Sequence, residues 1–168
     1  MKKITSTGFT LLFCAVFLTS CSKDNIQDDV TAYDQVVAER TDYSYNTIEV
    51  EILDEINLYR EAIGLRELKP MAKLSIESEG HTEYMIDEGT VSHDNFPLRA
   101  SKLMNGAGAK AVAENVGYGY RTSNAVVNAW LKSKGHRENI EGGYTHFGIS
   151  VRQDEEGKNY FTNIFIKK

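Results

Sequence analysis

This sequence predicts an α+β domain, and two observations carry the prediction. From Thr47 onward apolar residues recur at three- and four-residue steps, interrupted by glycine and proline, which is the period of amphipathic helices. From His146 the period shortens to alternating or unbroken apolar runs, which is the period of strands. Ile48, Ile52, Ile56, Tyr59 and Ile63 give the first helix its apolar face, and Gly64 closes it as the residue after the cap. Pro70 is placed to open a second helix, with Leu74, Ser78, His81 and Met85 inward and Gly89 at its end. Pro97 opens a short third helix through Leu98, Leu103 and Met104, and the Gly/Ala-rich Asn105 to Lys110 reads as a loop. Ser123 or Asn124 caps a further helix carrying Val126, Val127 and Trp130, stopped by Gly135. His146 to Val151 and Tyr160 to Ile166 then form a hairpin turned at Asp154-Glu155-Glu156-Gly157. No internal repeat is visible.

Composition narrows the function classes. With 41% hydrophobic and 26% charged residues, the chain is neither disordered nor a bundle of membrane spans. Its 19 Lys+Arg against 24 Asp+Glu give a net charge of −5 with no basic run, which argues against a nucleic-acid partner.

The N-terminus reads as a leader over residues 1–20. Lys2 and Lys3 precede the apolar run Phe9 to Leu18, which as a helix would reach only ~15 Å, about half a bilayer core. Leu18-Thr19-Ser20-Cys21 resembles a bacterial lipobox, which implies cleavage before Cys21 and lipidation of its thiol; the alternative is an ordinary secretory signal with an incidental cysteine. Acyl chains there would anchor the protein to a membrane at roughly 0.8 kcal/mol per buried methylene. Cys14 leaves with the leader, so no disulfide and no catalytic thiol remains. Residues 21–46 form an acidic tether, whose extended reach is at most ~90 Å. Lys23-Asp24 resembles the export tags of surface lipoproteins, which implies an outer-membrane position and leaves open which face of the membrane carries the domain. Residues 47–168 are the folded domain, expected to be a monomer.

The histidines at 81, 93, 136 and 146 make no local metal signature, since no two share a helical face four residues apart and no cysteine pair assists. The short stretches around them say more. Leu53-Asp54-Glu55-Ile56-Asn57-Leu58-Tyr59-Arg60, Val91-Ser92-His93 and Ala113-Glu114-Asn115-Val116 come first. Trp130 to Ile140 with its Gly135-His136-Arg137 turn, Thr145-His146-Phe147-Gly148 and Tyr160 to Phe165 follow. In this order they resemble the CAP superfamily of cysteine-rich secretory, antigen 5 and pathogenesis-related proteins, and most of all its disulfide-free bacterial SCP-like branch.

The resemblance implies an α-β-α sandwich with a three-stranded antiparallel sheet between helical layers. It also implies a shallow cleft that gathers two histidines and acidic groups. His93 matches the first histidine, Glu114 the glutamate and His146 the second histidine. The family's second glutamate falls here on Ser133, so the second carboxylate is replaced at that place, and His136 is a further candidate. Two imidazoles and a carboxylate suit Zn²⁺ or Mg²⁺, and Glu114 is the candidate base for a metal-bound water.

Each residue also has a plainer reading. His93 can hold its loop to a carbonyl, Glu114 can order a backbone turn, His146 can be a core histidine, and His136 can favour a helix C-terminus. His81 and Trp130 read as structural, Arg137 and Glu138 as a solvated pair, and Tyr118 and Tyr120 as edge-of-core packing. Three functions remain open. The first is a non-catalytic module binding a divalent cation, a small ligand or lipid, or a protein partner in the His/Glu cleft. The others are a metal-dependent hydrolase of peptides or cell-wall material, and an adhesion surface with a vestigial cleft.

Overall fold

The computed structural model describes residues 42–168. The leader, Cys21 and most of the tether lie outside the described residues. The last tether residues are already part of the fold. The Tyr43 hydroxyl donates to Glu49 at 2.8 Å, and the Tyr45 hydroxyl meets that of Ser75 at 2.9 Å.

Helix α1 spans Thr47–Ala62. Asn46 caps it, accepting from the Glu49 backbone N–H, while the Glu49 carboxylate takes the Asn46 N–H in return. Gly64 follows at φ 77°, as its spacing predicts. Strand β1 is only Lys69–Pro70. Pro70 therefore ends a short strand instead of opening a helix, and α2 begins two residues later, over Ala72–Asp87. Helix α3 (Phe96–Ala107) runs through residues expected to be loop, because Leu103 and Ala107 are buried in the core and the left-handed turn comes only at Gly108.

Strand β2 (Ala111–Tyr118) places Glu114 in mid-strand, not in a turn. Helix α4 (Ser123–Lys132) is capped by Thr122, one residue before the expected cap. It stops at Ser133, and a further helix, α5 (Lys134–Ile140), carries Gly135 inside it. Strands β3 (His146–Gln153) and β4 (Asn159–Lys167) form the expected hairpin. The Asp154 carboxylate accepts from the Glu156 and Lys158 N–H groups within its turn.

The sheet order is β1-β3-β4-β2, with β2–β4 and β4–β3 antiparallel and β1 added parallel to β3. The expected three strands thus carry a two-residue fourth at one edge. Alternation along the strands splits the side chains between two layers. Phe147, Ile149, Val151, Phe161 and Phe165 face α1, α4 and α5, packing with Ile52, Ile56, Val126 and Trp130. Ile164 and Ile166 face the other way, onto Leu74 of α2 and Leu103 of α3. This is the α-β-α sandwich. Trp130 stands nearly perpendicular to Phe161 and donates its indole N–H to the Val116 carbonyl at 2.8 Å. On the other face α2 rests directly on backbone. A Cβ at Gly148 would overlap the Ser75 nitrogen and the Leu74 main chain.

Candidate functional site

The edge strand β2 carries Glu114 and Asn115 side by side, and strand alternation sends them to opposite faces. Each organises one layer. Glu114 is buried towards α2 and α3, where both its oxygens are engaged by Arg99 of α3. The Arg99 Nε–H donates to Oε2 and Nη2–H to Oε1, each at 2.9 Å. His93, from the loop between α2 and α3, adds its Nδ1–H to Oε1 at 2.9 Å. An ionised carboxylate only accepts, so the proton sits on His93 Nδ1 and leaves Nε2 free on a half-exposed ring. His81 of α2 lies behind, with Nε2 donating to the Ser92 carbonyl at 2.9 Å and 3.8 Å from Glu114.

Asn115 does the corresponding work on the other face. Its amide donates to the His136 carbonyl at 3.0 Å, and the Asn139 amide donates to Asn115 Oδ1 at 2.8 Å and to the Glu114 carbonyl at 3.2 Å. These bonds hold α5, and with it the main chain of His136, against β2.

The electrostatics follow from this packing. Burial on its own would raise the Glu114 pKa, but the hydrogen bonds from His93 and Arg99 and the charge of Arg99 outweigh it and hold it below the usual carboxylate value. Burial lowers the His81 pKa despite the attraction of Glu114. Burial also lowers that of His136, and the charge of His93 lies close enough to push it down further.

His146 is not in this cluster. It opens β3, two strands from β2, and is paired with Ile166, whereas Glu114 is paired with Ile164. That separates the two Cα atoms by roughly 12 Å on the spacing of a β-sheet. The fully buried Ile164 and Ile166 lie on the same face between them. His146 lines a different cavity, its Nδ1 is 2.9 Å from the Thr145 hydroxyl, and burial followed by the charges of Lys168 and Lys69 lowers its pKa. The expected His93, Glu114 and His146 ligand set is therefore not assembled, and His136 is the imidazole whose charge interacts with that of His93. Among the described residues, no three His, Cys, Asp or Glu side chains are grouped to hold one metal ion.

Sequence reasoning missed Arg99; it read His81 as structural, and His81 is buried and bonded to the Ser92 carbonyl. Arg99 has no distinctive signal, since it stands one residue after Leu98 and reads as the polar face of a short helix. Trp130 is core, as expected.

Similarities to known proteins fit this architecture. The chain is 33% identical over 129 residues to the uncharacterized membrane protein YlbC of Bacillus subtilis, a match covering 73% of this chain and 35% of that protein. An extracellular protein containing a SCP domain from Bacillus anthracis superimposes with a TM-score of 0.62 at 28% identity, covering 71% of this chain and 40% of that one. An outer surface protein from Borrelia burgdorferi shares the fold, with a TM-score of 0.66 at 21% identity, over 77% of this chain and 99% of that one. The chain thus spans little more than a third of YlbC and two-fifths of the Bacillus anthracis protein. The model of the cysteine-rich secretory protein family, CAP, matches residues 53–165, from the middle of α1 to the core of β4. With most of the folded domain so matched, this chain belongs to the CAP family, in its bacterial branch.

Proposed function

We propose that this chain is a non-catalytic, extracytoplasmic binding module, tethered to the membrane through a lipidated Cys21, whose cleft takes a divalent cation between His93 and His136. One observation carries the reading: the Glu114 carboxylate is fully engaged by Arg99 and His93. A general base needs a free oxygen within reach of the water it deprotonates. Here, the carboxylate would first have to leave a buried two-point ion pair, so its geometry favours holding His93 over hydrolysis.

The same geometry suits ligation. A carboxylate bonded to one ring nitrogen orients the imidazole and raises the basicity of the other nitrogen. His93 Nε2 and the His136 ring are the available donors, and two imidazoles suit Zn²⁺ better than Mg²⁺, which prefers oxygen. A bound cation would supply open coordination positions to a small ligand or a partner's side chain. The envelope position is supported by the lipobox-like Cys21 and by relatives described as extracellular or outer-surface proteins.

Zinc titration of the full chain in detergent tests the cleft. One equivalent should bind, and His93→Ala or His136→Ala should abolish it, whereas His146→Ala should not. Binding that survives both of the first two substitutions would overturn the reading. Labelled palmitate that enters the wild type but not Cys21→Ala would support the anchor, and equal labelling would reject it.

A further inference from the structure

At the opposite edge of the sheet from Glu114 lies a cavity of about 610 Å³ between the end of α1, strand β1 and the last residues of β4. Its lining includes Arg60, Arg66, Lys69, Lys167, Lys168 and His146, with Glu67 as the carboxylate among them. In a chain of net charge −5 this is a concentrated positive spot, assembled from stretches that are remote in sequence.

Arg60 makes it more than a patch of surface lysines. Its residue is only 2% exposed, and its guanidinium donates solely to backbone carbonyls. Nε–H bonds the Arg66 carbonyl at 2.9 Å, and Nη1–H the carbonyls of Ile140 and Gly142 at 2.5 and 3.0 Å. Burial lowers its pKa and no carboxylate opposes that effect. Buried charges in folded proteins are ordinarily paired, because removal from water costs several kcal/mol per ion. Arg66, Lys69, Lys167 and Lys168 around the opening are exposed, and none has an ion pair among the described residues. The free Nε2 of His146 adds a hydrogen-bonding group to the wall, while the Thr145 hydroxyl is engaged by the Ile166 carbonyl, the Lys168 N–H and His146 Nδ1.

We propose that this cavity is a binding site for a multiply charged oxyanion of the phosphate or pyrophosphate type, with Arg60 as its buried counter-charge and Lys69, Lys167 and Lys168 closing over it. The site is separate from the His93/His136 cleft and does not depend on it. Its volume admits a phosphorylated small molecule or the headgroup of an anionic lipid. In either case the chemistry recognised is the phosphoryl group.

Calorimetric titration of the full chain in detergent with inorganic pyrophosphate, at ionic strength fixed by sodium chloride, is the direct test. Saturation at a single site is expected, with the affinity falling by at least about tenfold in K69Q/K167Q/K168Q and holding in K132Q on α4. The substituted lysines are exposed, and a cooperative thermal melt no lower than that of the wild type would confirm that the variants fold. A second readout is the His146 ring. It faces Lys69 from β1, Lys168 from the end of β4 and Thr145, and bound anion should raise its titration midpoint. Vesicles of phosphatidylglycerol against phosphatidylcholine distinguish the sources. Preferential capture by phosphatidylglycerol that the triple substitution abolishes points to a headgroup, and binding of pyrophosphate alone points to a soluble anion. Pyrophosphate binding unchanged by the triple substitution would overturn the proposal. So would no saturable pyrophosphate binding together with equal vesicle capture of wild type and variant.

Discussion

The two edges of the sheet treat a buried charge in opposite ways. At β2 the Glu114 carboxylate is enclosed with Arg99 and His93, and all three close on one another. At the β1 edge the Arg60 guanidinium is as deeply enclosed but meets only neutral carbonyls. A paired charge is complete without a ligand, and what it offers outward is the oriented ring of His93. An unpaired charge keeps its electrostatic demand, and offers that demand itself. The β2 edge is therefore suited to presenting an imidazole, and the β1 edge to attracting an anion.

The largest effect that would break this contrast is loss of Glu114. Glu114→Ala leaves the Arg99 charge buried without a partner and should cost about 3–5 kcal/mol of unfolding free energy in urea. Arg60→Met should cost less, about 1–3 kcal/mol, because it strands carbonyls instead of a charge and removes a buried ion that had no counter-ion. Equal losses from the two substitutions would mean that pairing does not distinguish the edges.

Between the edges, α2 rests on β3 at Gly148. Gly148→Ala would press a methyl group into the Ser75 and Leu74 backbone, which cannot swing aside as a side-chain tip would. A loss of about 1–3 kcal/mol is expected, at the upper end of that range because the contact is with main chain. The substitution tests whether the edges share one rigid platform: zinc and pyrophosphate binding should both weaken in the folded fraction. If only one weakens, the edges are mechanically independent.

Acidity sharpens the comparison through the groups around Glu114. His81 has its pKa lowered, first by burial, so its neutral form is the one the fold prefers. Its stabilising contribution is complete above the unfolded value of about 6.5 and is lost as pH falls through that value. Nε2 donates to Ser92, and Nδ1 has no partner, so a proton added there would be buried without an acceptor. Glu114, also lowered, contributes above an unfolded value of about 4.3 and loses that contribution as pH drops through its folded value. The melting temperature should therefore fall in two descents on acidification, one beginning near pH ~7 and one below pH ~4.3. In His81→Gln, which keeps a donor for Ser92, the upper descent should shrink. If it is undiminished, the titration belongs to His136 and His146, which burial also lowers.

How far the sequence foretold these features depended on whether the signal was local. Helix α1 was legible because its apolar spacing and Gly64 lie within one segment. Strand β2 was not, because Glu114 and Asn115 interrupt the apolar run that marks a strand. Helix α5 was hidden by Gly135, which reads as a stop. In the site, His93 and Glu114 stood out by their family-like surroundings, but the choice between His136 and His146 depends on sheet register. That pairing places His146 two strands from Glu114, and no local spacing encodes it. Arg60 and Arg99 were least legible, since an arginine on an amphipathic helix is ordinarily a surface residue, and only tertiary packing buries these two.

The smallest effect asks whether the β1 edge is electrostatically frustrated when no anion is bound. Lys69, Lys167 and Lys168 converge near Arg60 and His146, so like charges repel across the cavity, weakly at the exposed positions and less screened towards Arg60. Neutralising one of them, as in Lys168→Gln, should raise the melting temperature slightly in low salt, and the gain should fade in about 0.5 M sodium chloride. Pyrophosphate should raise the wild-type melting temperature above an equal ionic strength of chloride, because a ligand that binds only the folded state stabilises it by mass action. The same additions to Lys168→Gln should give a smaller rise. Neutralisation that lowers stability in low salt would mean that these lysines already have effective partners, and the β1 edge would then be as self-contained as the edge at Glu114.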